Sequence, residues 1–361
     1  MIKKLKIHAY KSIKDLTISC SNLNLFVGTN SSGKSTCLQA LLLFEQNRRT
    51  DVGLNGEQLY LGEFREIRNN YMPRENIRIE LEGTDEAGQE TSESIEFAEA
   101  DESYEVIHSG KKADEYKKFY YLSCHRIGAM IVYERNFQQY TTFGHDGEYA
   151  LDYLLQHGED PVDEMLKMGE DQVSGDLMSQ VNCWLKYIIG TELSLRKIQK
   201  TNYLQVTYNN NPANSSSYAL YCTPFNVGSG VSYLISIIIA CLGSEQDSVI
   251  LVENPEIHLH PKAQSQLSEL LYLTAKSGRQ LFVETHSDHI FNGIRVGISS
   301  GNWDPALVSV NFLAMNQQCE TMCNPIEFGP LGRIYGRNPE MDLNDLFDQF
   351  EIDLDRMLGL D

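Results

Sequence analysis

Gly28-Thr29-Asn30-Ser31-Ser32-Gly33-Lys34-Ser35 is the stretch that decides the fold, because it fits the phosphate-binding pattern GxxxxGK[ST]. The apolar run 23–27 before it predicts a buried strand, and residues 36–44 after it predict a helix. Glycines let backbone N–H groups curl around an anion, and a helix N-terminus adds positive potential. The sequence therefore predicts a nucleotide site in which Lys34 reaches the β- and γ-phosphates and Ser35 holds Mg²⁺.

The composition is that of an acidic globular protein. The 361 residues include 30 basic and 50 acidic ones, a net charge of −20, which disfavours a surface that coats nucleic acid as a whole. A cluster of four lysines, Lys111, Lys112, Lys117 and Lys118, leaves a local DNA contact open, although a solvated loop is the favoured interpretation.

Cysteine usage and hydropathy predict a cytoplasmic location. The eight cysteines show no paired framework, and free thiols suit a reducing compartment. The N-terminus has no signal-peptide pattern, and the longest apolar run, 234–242, is too short to span a bilayer. We therefore expect no membrane contact.

A second chemical motif, Glu253-Asn254-Pro255-Glu256, follows the apolar strand predicted over 248–252. An acid at such a strand end is what a Mg²⁺ site beside a phosphate loop requires. Glu253 is therefore a predicted metal-binding and catalytic residue, and Glu256 could orient or deprotonate the attacking water. Two solvated acids at a strand end are the alternative interpretation.

A third motif, Glu284-Thr285-His286-Ser287, follows the strand predicted over 280–283 and precedes a predicted helix that runs to about residue 296. A histidine at this strand end could contact the γ-phosphate, so His286 is a predicted catalytic residue. A lone histidine is more often structural, and that interpretation stays open.

A Gly/Ser turn over 226–232 opens the apolar helix predicted over 233–242. A turn of this kind at a helix N-terminus is an anion site. Because the chain already has a phosphate loop, Ser229 and Gly230 are predicted to bind the nucleotide of another subunit. A plain helix cap built from Ser229 or Ser232 is the alternative.

The order of these motifs resembles an ABC-type ATPase head of the structural-maintenance-of-chromosomes (SMC), RecF and OLD proteins, and within that superfamily the compact RecF/OLD-like AAA-family ATPases. The resemblance extends from the first residues to about residue 297. Four further stretches carry it: AYKSI at 9–13, YLSCHRIG at 121–128, GHDGEYA at 144–150 and EIHLHPKAQ at 256–264.

The resemblance implies where ATP and Mg²⁺ are bound. The implied nucleotide ligands in the loop are Gly28, Asn30, Gly33, Lys34, Ser35 and Thr36, to which we add Ser32. It also implies Glu253 at the magnesium position and His286 as the switch histidine. Ser229 and Gly230 correspond to the signature turn that faces the nucleotide of the other subunit, which we call the trans turn.

One position departs from the family pattern, and the role of a second position is open. Asn254 stands where many members have the catalytic glutamate, so Glu256 is the best remaining base and slow hydrolysis is expected. Arg126 is a candidate interface or phosphate-sensing arginine, with a core salt bridge as the equal alternative.

The predicted fold class is α/β, an ABC-type P-loop ATPase head with a β-rich antiparallel insertion and a helical subdomain. The expected segments are a nucleotide-binding core over 1–56 and 223–330, the insertion over 57–125 and the helical subdomain with short strands over 126–222. No sustained heptads occur between the phosphate loop and residue 225, which excludes a long coiled-coil arm.

The C-terminal segment 331–361 is expected to form an amphipathic docking helix. Apolar residues recur at helical spacing over 341–358, and the acidic residues between them are interpreted as a solvated face. Only residues 287–361 follow the switch histidine, too few for the Toprim nuclease module that OLD proteins carry.

The resemblance implies an ATPase that dimerises around two ATP–Mg²⁺ and hydrolyses them slowly. A homodimer or higher even oligomer is expected, with an effector on a separate chain that by analogy is a nuclease. The expected role is that of a sensor or regulator in antiviral defence or DNA maintenance. A non-hydrolysing, nucleotide-gated assembly scaffold is the rival interpretation.

Overall fold

The computed structural model describes residues 1–48, 51–85, 88–101, 103–110, 118–137, 142–169, 173–210, 221–343, 346–347 and 349–358. The chain divides into two compact units, the first comprising Met1–Tyr116 with Asp304–Asp361 and the second Lys117–Trp303. Three lysines of the predicted basic cluster, Lys111, Lys112 and Lys117, lie outside the described residues. Lys118 lies within them and pairs with Glu245.

The regular elements follow one another along the chain as strands and helices of both units. The strands are β1 (Ile2–Tyr10), β2 (Ile13–Ser19), β3 (Leu23–Gly28), β4 (Ile77–Thr84), β5 (Glu90–Ala100), β6 (Ser103–Gly110), β7 (Phe119–Leu122), β8 (Tyr133–Glu134), β9 (Glu192–Lys197), β10 (Tyr203–Asn209), β11 (Tyr221–Cys222), β12 (Val249–Glu253), β13 (Gln280–Glu284), β14 (Val308–Met315), β15 (Thr321–Phe328) and β16 (Ile334–Gly336). The helices are α1 (Lys34–Arg48), α2 (Phe64–Ile67), α3 (Ala150–His157), α4 (Leu177–Ile189), α5 (Gly230–Gly243), α6 (Pro261–Lys276), α7 (Asp288–Ser299) and α8 (Gln349–Leu358).

The first unit contains an antiparallel sheet with the strand order β2-β1-β4-β5-β6. Ile77, Ile79 and Leu81 alternate with polar residues in the sequence, and this face of β4 is buried as predicted. β4 pairs with β1, so that Ile79 lies opposite Ile7. The predicted antiparallel hairpins therefore extend the N-terminal hairpin β1–β2 into one sheet.

The phosphate loop begins where β3 ends, in a second group of strands of the first unit. β3 runs parallel to β14, and β14, β15 and β16 form antiparallel pairs. The pairing places Leu313 of β14 opposite Gly28. Strands from the far end of the chain, which the sequence motifs do not predict, therefore flank the loop.

The second unit is built on three parallel strands in the order β7-β12-β13. β12 and β13 are buried at every residue, which explains why both are largely apolar runs in the sequence. α5 is buried along most of its length and packs on α3, α4 and α6. The short strands β8, β9, β10 and β11 form a separate antiparallel group.

The helices α8 and α6 differ from the sequence-based expectations. α8 begins at Gln349, so the predicted start at Met341 is wrong. The Asn324 amide donates to the carbonyl oxygens of Asn338 (3.3 Å) and Met341 (2.6 Å) and ties this segment to β15 instead of to a helix. α6 is absent from the sequence-based expectations, although a proline in its first turn is a typical helix start.

Candidate nucleotide-binding site

The phosphate loop closes the end of β3 and opens α1, which is the predicted strand–loop–helix arrangement. α1 begins at Lys34 and runs for 15 residues, and the N–H of Cys37 donates to the Gly33 carbonyl (3.1 Å). The N–H groups before Cys37 belong to the first turn, where a helix leaves donors without intrahelical partners. The positive end of the helix dipole therefore lies at the loop.

Gly33 has a backbone conformation and a surrounding space that only glycine fits well. Its φ is +99°, and a Cβ atom there would lie 2.5 Å from Thr321 Oγ1 and 2.8 Å from Thr321 Cγ2. Thr321 begins β15, and its hydroxyl is hydrogen-bonded to that of Ser12 (2.7 Å). The loop thus lies against a side chain outside every motif, a contact that motif spacing does not reveal.

Lys34 is held inside the curl of the loop. It is 3% exposed, and its ammonium group donates to the carbonyl oxygens of Gly28 (3.1 Å) and Thr29 (2.6 Å). A buried ammonium needs such partners, because an uncompensated buried charge is costly. The positive charge is therefore fixed at the position where the loop would surround an anion.

The other predicted loop residues differ in exposure. Asn30 and Ser35 are exposed, whereas Ser32 and Thr36 are buried. The Ser32 hydroxyl accepts a long hydrogen bond from Lys34 Nζ (3.5 Å). Ser35 in the first turn of α1 keeps its side chain at the surface, where a metal ion could reach it.

Lys11 lies beside α1, the helix that follows the phosphate loop. The pattern of the stretch 9–13 does not predict this contact. It occupies the turn between β1 and β2 with a φ of +51°, and its ammonium group donates to Gln39. Gln39 lies four residues beyond Ser35 and so on the same face of α1. Burial lowers the pKa of Lys11.

Glu253 ends β12 in the second unit and is 8% exposed. Its carboxylate accepts hydrogen bonds from the Tyr121 hydroxyl (3.0 Å) and the Cys124 backbone N–H (3.1 Å). Burial, reinforced by the charge of Glu253, raises the pKa of the Cys124 thiol to about 11. The stretch 121–128 therefore orients Glu253, the predicted metal ligand. The sequence does not predict this role, because the stretch and Glu253 are far apart along the chain.

Arg126 clamps the main chain at the end of β12. Its Nη1 donates to the carbonyl oxygens of Ser123 (2.7 Å) and Glu253 (2.5 Å), and its Nη2 donates to that of Asn254 (2.8 Å). The side chain is 2% exposed, and burial lowers its pKa to about 10. Within the described residues it forms no ion pair, so the core salt bridge expected as one alternative is wrong. The interface or phosphate-sensing role stays a prediction.

Asn254 turns the chain sharply after β12. Its φ is +43°, in the left-handed region, and its N–H donates to the Glu284 carbonyl (2.8 Å). The side-chain Oδ1 is buried and has no hydrogen-bond partner within the described structure. A non-glycine residue in this conformation at a predicted catalytic position is a form of local strain that often accompanies function.

Glu256 and His286 are brought together by this turn. The Glu256 carboxylate accepts hydrogen bonds from the Thr285 hydroxyl (2.8 Å) and from the backbone N–H of His286 (2.7 Å). Burial raises the pKa of Glu256, although both hydrogen bonds oppose this shift. The His286 side chain is exposed just beyond β13. Of the predicted catalytic residues, these two are therefore neighbours.

The two residues of the trans turn have different surroundings. Ser229 is exposed and makes no side-chain cap hydrogen bond at the start of α5. Gly230 is buried, and a Cβ atom there would lie 2.5 Å from the His258 carbonyl oxygen. Because Ser229 makes no such hydrogen bond, its interpretation as an ordinary helix cap loses one supporting observation. Gly230, in contrast, is required for packing within its own chain.

Comparison with known proteins bears on the fold and the family. A family model described as AAA ATPase domain matches residues 1–291. No curated protein matches the chain. No helix among the described residues is long and apolar enough to span a bilayer.

Three solved structures of SMC heads are similar to the chain. The Smc head bound to the C-winged helix domain of ScpA is 12% identical over 90% of this chain and 97% of that one, with a TM-score of 0.56. The Smc head with an extended coiled coil bound to the C-terminal domain of ScpA, derived from Pyrococcus furiosus, is 12% identical over 90% and 96%, with a TM-score of 0.55. The SMC head domain from Thermotoga maritima is 14% identical over 90% and 99%, with a TM-score of 0.48. The two Smc heads solved with ScpA domains confirm the predicted α/β fold of an SMC-like ATPase head.

We predict that Gly33→Ala destabilises the chain and abolishes ATP binding, because the new methyl group overlaps Thr321 while the backbone is strained. Gly278→Ala is a matched control, since Gly278 has a φ of +98° and a Cβ atom added there would meet nothing within 4 Å. The control should cost only about 1–2 kcal/mol of backbone strain. Urea unfolding and titration with a fluorescent ATP analogue measure both effects. Wild-type ATP affinity in Gly33→Ala would contradict the assignment of the loop.

Proposed function

We propose that the loop 28–36 binds ATP, because the chain belongs to the AAA ATPase domain family. The observation that carries this proposal is the Lys34 ammonium group, held among loop carbonyls at the start of α1. A buried cation beside the first turn of a helix suits the phosphates of a nucleotide. The nucleotide would lie against Gly28, Asn30, Gly33 and the neighbouring residues of the loop.

Ser35 and Glu253 are the proposed Mg²⁺ ligands. Mg²⁺ prefers oxygen ligands such as hydroxyl and carboxylate groups, and both residues supply them. The Ser35 side chain is exposed at the loop, and the Glu253 carboxylate is oriented by Tyr121 and Cys124. Mg²⁺, when bound, neutralises charge on the phosphates during transfer.

Glu256 is the proposed general base for the attacking water, and His286 is the proposed γ-phosphate contact. Burial raises the pKa of Glu256, which makes the carboxylate a stronger proton acceptor. The hydrogen bond from the His286 N–H to Glu256 would keep the two residues in a fixed relation. Asn254 has no group that can accept a proton at neutral pH, which supports slow hydrolysis.

Dimerisation around two nucleotides is the proposed mode of action. Ser229 is exposed at the start of α5, so it could face the nucleotide of a second copy. Two SMC heads of similar fold were solved with domains of ScpA, which supports an assembly of this chain with a further protein. The eight free cysteines support a cytoplasmic location.

The proposed role is to regulate an effector on a separate chain, a nuclease in antiviral defence or DNA maintenance, with DNA contact as part of that role. This role rests on analogy with the family. The proposed docking element is α8, on which Leu354, Met357 and Leu358 are 40%, 74% and 63% exposed. Exposed apolar residues on one short helix suit a partner surface.

A non-hydrolysing scaffold is the second candidate, and Asn254 is the observation that favours it. With an amide at the usual base position, ATP binding could drive assembly without turnover. Phosphate release, measured for the wild type with and without DNA, separates the two candidates.

We predict that Lys34→Ala weakens ATP binding by more than about tenfold, because a charge-assisted hydrogen bond contributes roughly 1.5–3 kcal/mol. Lys14→Ala is the control, since Lys14 pairs with Glu320 in the same unit. Titration with a fluorescent ATP analogue is the measurement, with circular dichroism to verify folding. A folded Lys34→Ala chain with unchanged affinity would remove the loop from the proposal.

We predict that Glu256→Gln binds ATP normally but releases phosphate about a hundredfold more slowly, because the amide can still accept from the His286 N–H but cannot take a proton. Asn254→Glu should accelerate release if residue 254 occupies the base position. Turnover of both variants decides between the two positions. Normal turnover in Glu256→Gln would exclude it as the base.

The raised pKa of Glu256 also predicts a pH dependence. In the wild type, phosphate release should fall as the pH is lowered through that raised pKa, because the base becomes protonated. A carboxyl group with a raised folded-state pKa binds its proton more tightly in the folded state than in the unfolded state. The free energy of unfolding therefore decreases as the pH rises from the unfolded-state pKa through the folded-state pKa. The free energy of unfolding of the wild type, relative to Glu256→Gln, should therefore increase as the pH falls toward 4.5, the group's usual value. Parallel urea titrations across this range measure it.

We predict that deletion of 349–361 spares ATP binding but abolishes effector recruitment or higher assembly. Leu346 is 7% exposed and so belongs to the folded body, which is why the deletion begins after it. Met357→Asp should have the same effect without shortening the chain. The measurements are co-purification with the product of the adjacent gene and oligomer size. Retention of both in the deleted chain would rule out docking through α8.

A further inference from the structure

The segment 144–150 carries part of the family resemblance and lies in the second unit. The His145 carbonyl oxygen accepts a hydrogen bond from the Ser123 N–H (2.8 Å), and the Asp146 carbonyl oxygen accepts one from the Ile127 N–H (2.7 Å). Both donors belong to the chain that follows β7. The segment therefore holds that chain at two points by main-chain hydrogen bonds.

The side chain of Asp146 adds a contact between these two points. Its carboxylate accepts a hydrogen bond from the Ser123 hydroxyl, and the same hydroxyl oxygen accepts from the His125 N–H (3.0 Å). A hydroxyl has one proton to donate and two lone pairs, so Ser123 can make both bonds at once. Ser123 is buried. Asp146 therefore fixes the main chain on either side of Cys124.

The residue enclosed in this way is a hydrogen-bond donor to Glu253. The Cys124 N–H donates to Glu253 Oε2 (3.1 Å), and the Tyr121 hydroxyl donates to Oε1 (3.0 Å). The ring of Tyr121 lies beside that of His145, with ring centroids 6.2 Å apart. Both of these donors to Glu253 thus rest on His145 or Asp146.

The segment is in turn packed against α5. Gly147 has a φ of +69°, and a Cβ atom there would lie 2.6 Å from the Cβ of Ser236, a buried residue of α5. The Gly147 carbonyl oxygen accepts from the N–H of Ala150 (3.1 Å), the first residue of α3, and α3 also packs on α5. Asp146 therefore belongs to a packed part of the second unit and can serve as a firm support.

We propose that Asp146 is a positioning residue for Glu253, the proposed Mg²⁺ ligand. Its carboxylate fixes Ser123, and Ser123 in turn directs the Cys124 N–H toward the Glu253 carboxylate. Partners that orient a metal ligand from behind typically contribute about 10- to 100-fold to metal affinity. This role of Asp146 rests on the proposed metal role of Glu253, so the test includes a variant of each residue.

Two substitutions break the link, and two others serve as controls. Asp146→Ala removes the acceptor of the Ser123 hydroxyl, and Ser123→Ala removes that hydroxyl with a smaller loss of packing. Asp146→Asn keeps an acceptor, because its amide oxygen can still bind the hydroxyl. The matched control is Asp176→Ala, since Asp176 accepts from the Ser179 hydroxyl (2.8 Å) at the start of α4. It removes the same kind of hydrogen bond in the same unit, at a helix cap instead of beside β12.

The measurement is the affinity of the full chain for a fluorescent ATP analogue, titrated once with Mg²⁺ and once with EDTA. The ratio of the two affinities reports metal binding, and a smaller folded fraction does not change it because both affinities weaken alike. The wild type should bind more tightly with Mg²⁺. We expect Asp146→Ala and Ser123→Ala to lower the ratio by about tenfold. Asp146→Asn and Asp176→Ala should keep it near the wild-type value.

Glu253→Gln separates the role of Asp146 from that of the metal ligand itself. A reduced ratio in Glu253→Gln beside a normal ratio in Asp146→Ala and Ser123→Ala would overturn the role of Asp146 alone, as would an equal loss in Asp176→Ala. An unchanged ratio in Glu253→Gln would overturn the metal role of Glu253 and the role of Asp146 with it. Adding Asp146→Ala to Glu253→Gln should lower the ratio no further, because Asp146 acts through Glu253.

Discussion

The burial of one guanidinium group determines how the end of β12 in the second unit is held. Moving an arginine out of water is costly unless its donors find acceptors. The terminal nitrogens of Arg126 donate to three main-chain carbonyl oxygens, whereas its buried Nε has no hydrogen-bond partner among the described residues. Those carbonyls belong to Ser123 beyond β7 and to Glu253 and Asn254 at the end of β12. Two parallel strands are thus joined at their carboxyl ends, where ligands bind in α/β folds. Without the guanidinium, buried carbonyl groups would lose their partners, at a cost of about 1–3 kcal/mol each.

The positions of the carboxylates of Glu253 and Glu256 follow from the fixed end of β12. Asn254 leaves β12 in a left-handed conformation, and this turn brings Glu256 back to Thr285 and His286. The carboxylate of Glu253 stays on the strand and receives its hydrogen bonds from the stretch 121–128. One short turn therefore separates two carboxylates with different surroundings, an arrangement by which proteins give similar groups different tasks.

Local signals in the sequence predict much of this fold, and long-range contacts account for what they miss. The phosphate loop, the buried strands β12 and β13 and the helix α7 follow from glycine spacing and apolar periodicity. The contact of Thr321 with Gly33 and the hydrogen bond from Cys124 to Glu253 join residues far apart in the chain, and no periodicity reports them. Periodicity also misplaces the start of α8, because the side chain of Asn324 competes for a carbonyl group that a helix would need. Pattern reasoning thus identifies the chemistry, whereas tertiary contacts decide which side chains support it.

The strand β14 has a consequence for how the protein is made. Its Leu313 pairs with Gly28, and Thr321 of the next strand lies against Gly33, so both glycines of the loop rest on the distant segment 313–321. During synthesis the loop emerges from the ribosome long before these supports. Parallel pairing over such a separation is slow to form, because a long loop must close first. The growing chain therefore carries an unfinished loop until the segment 313–321 has been made, and nucleotide can act as a folding ligand only after that point.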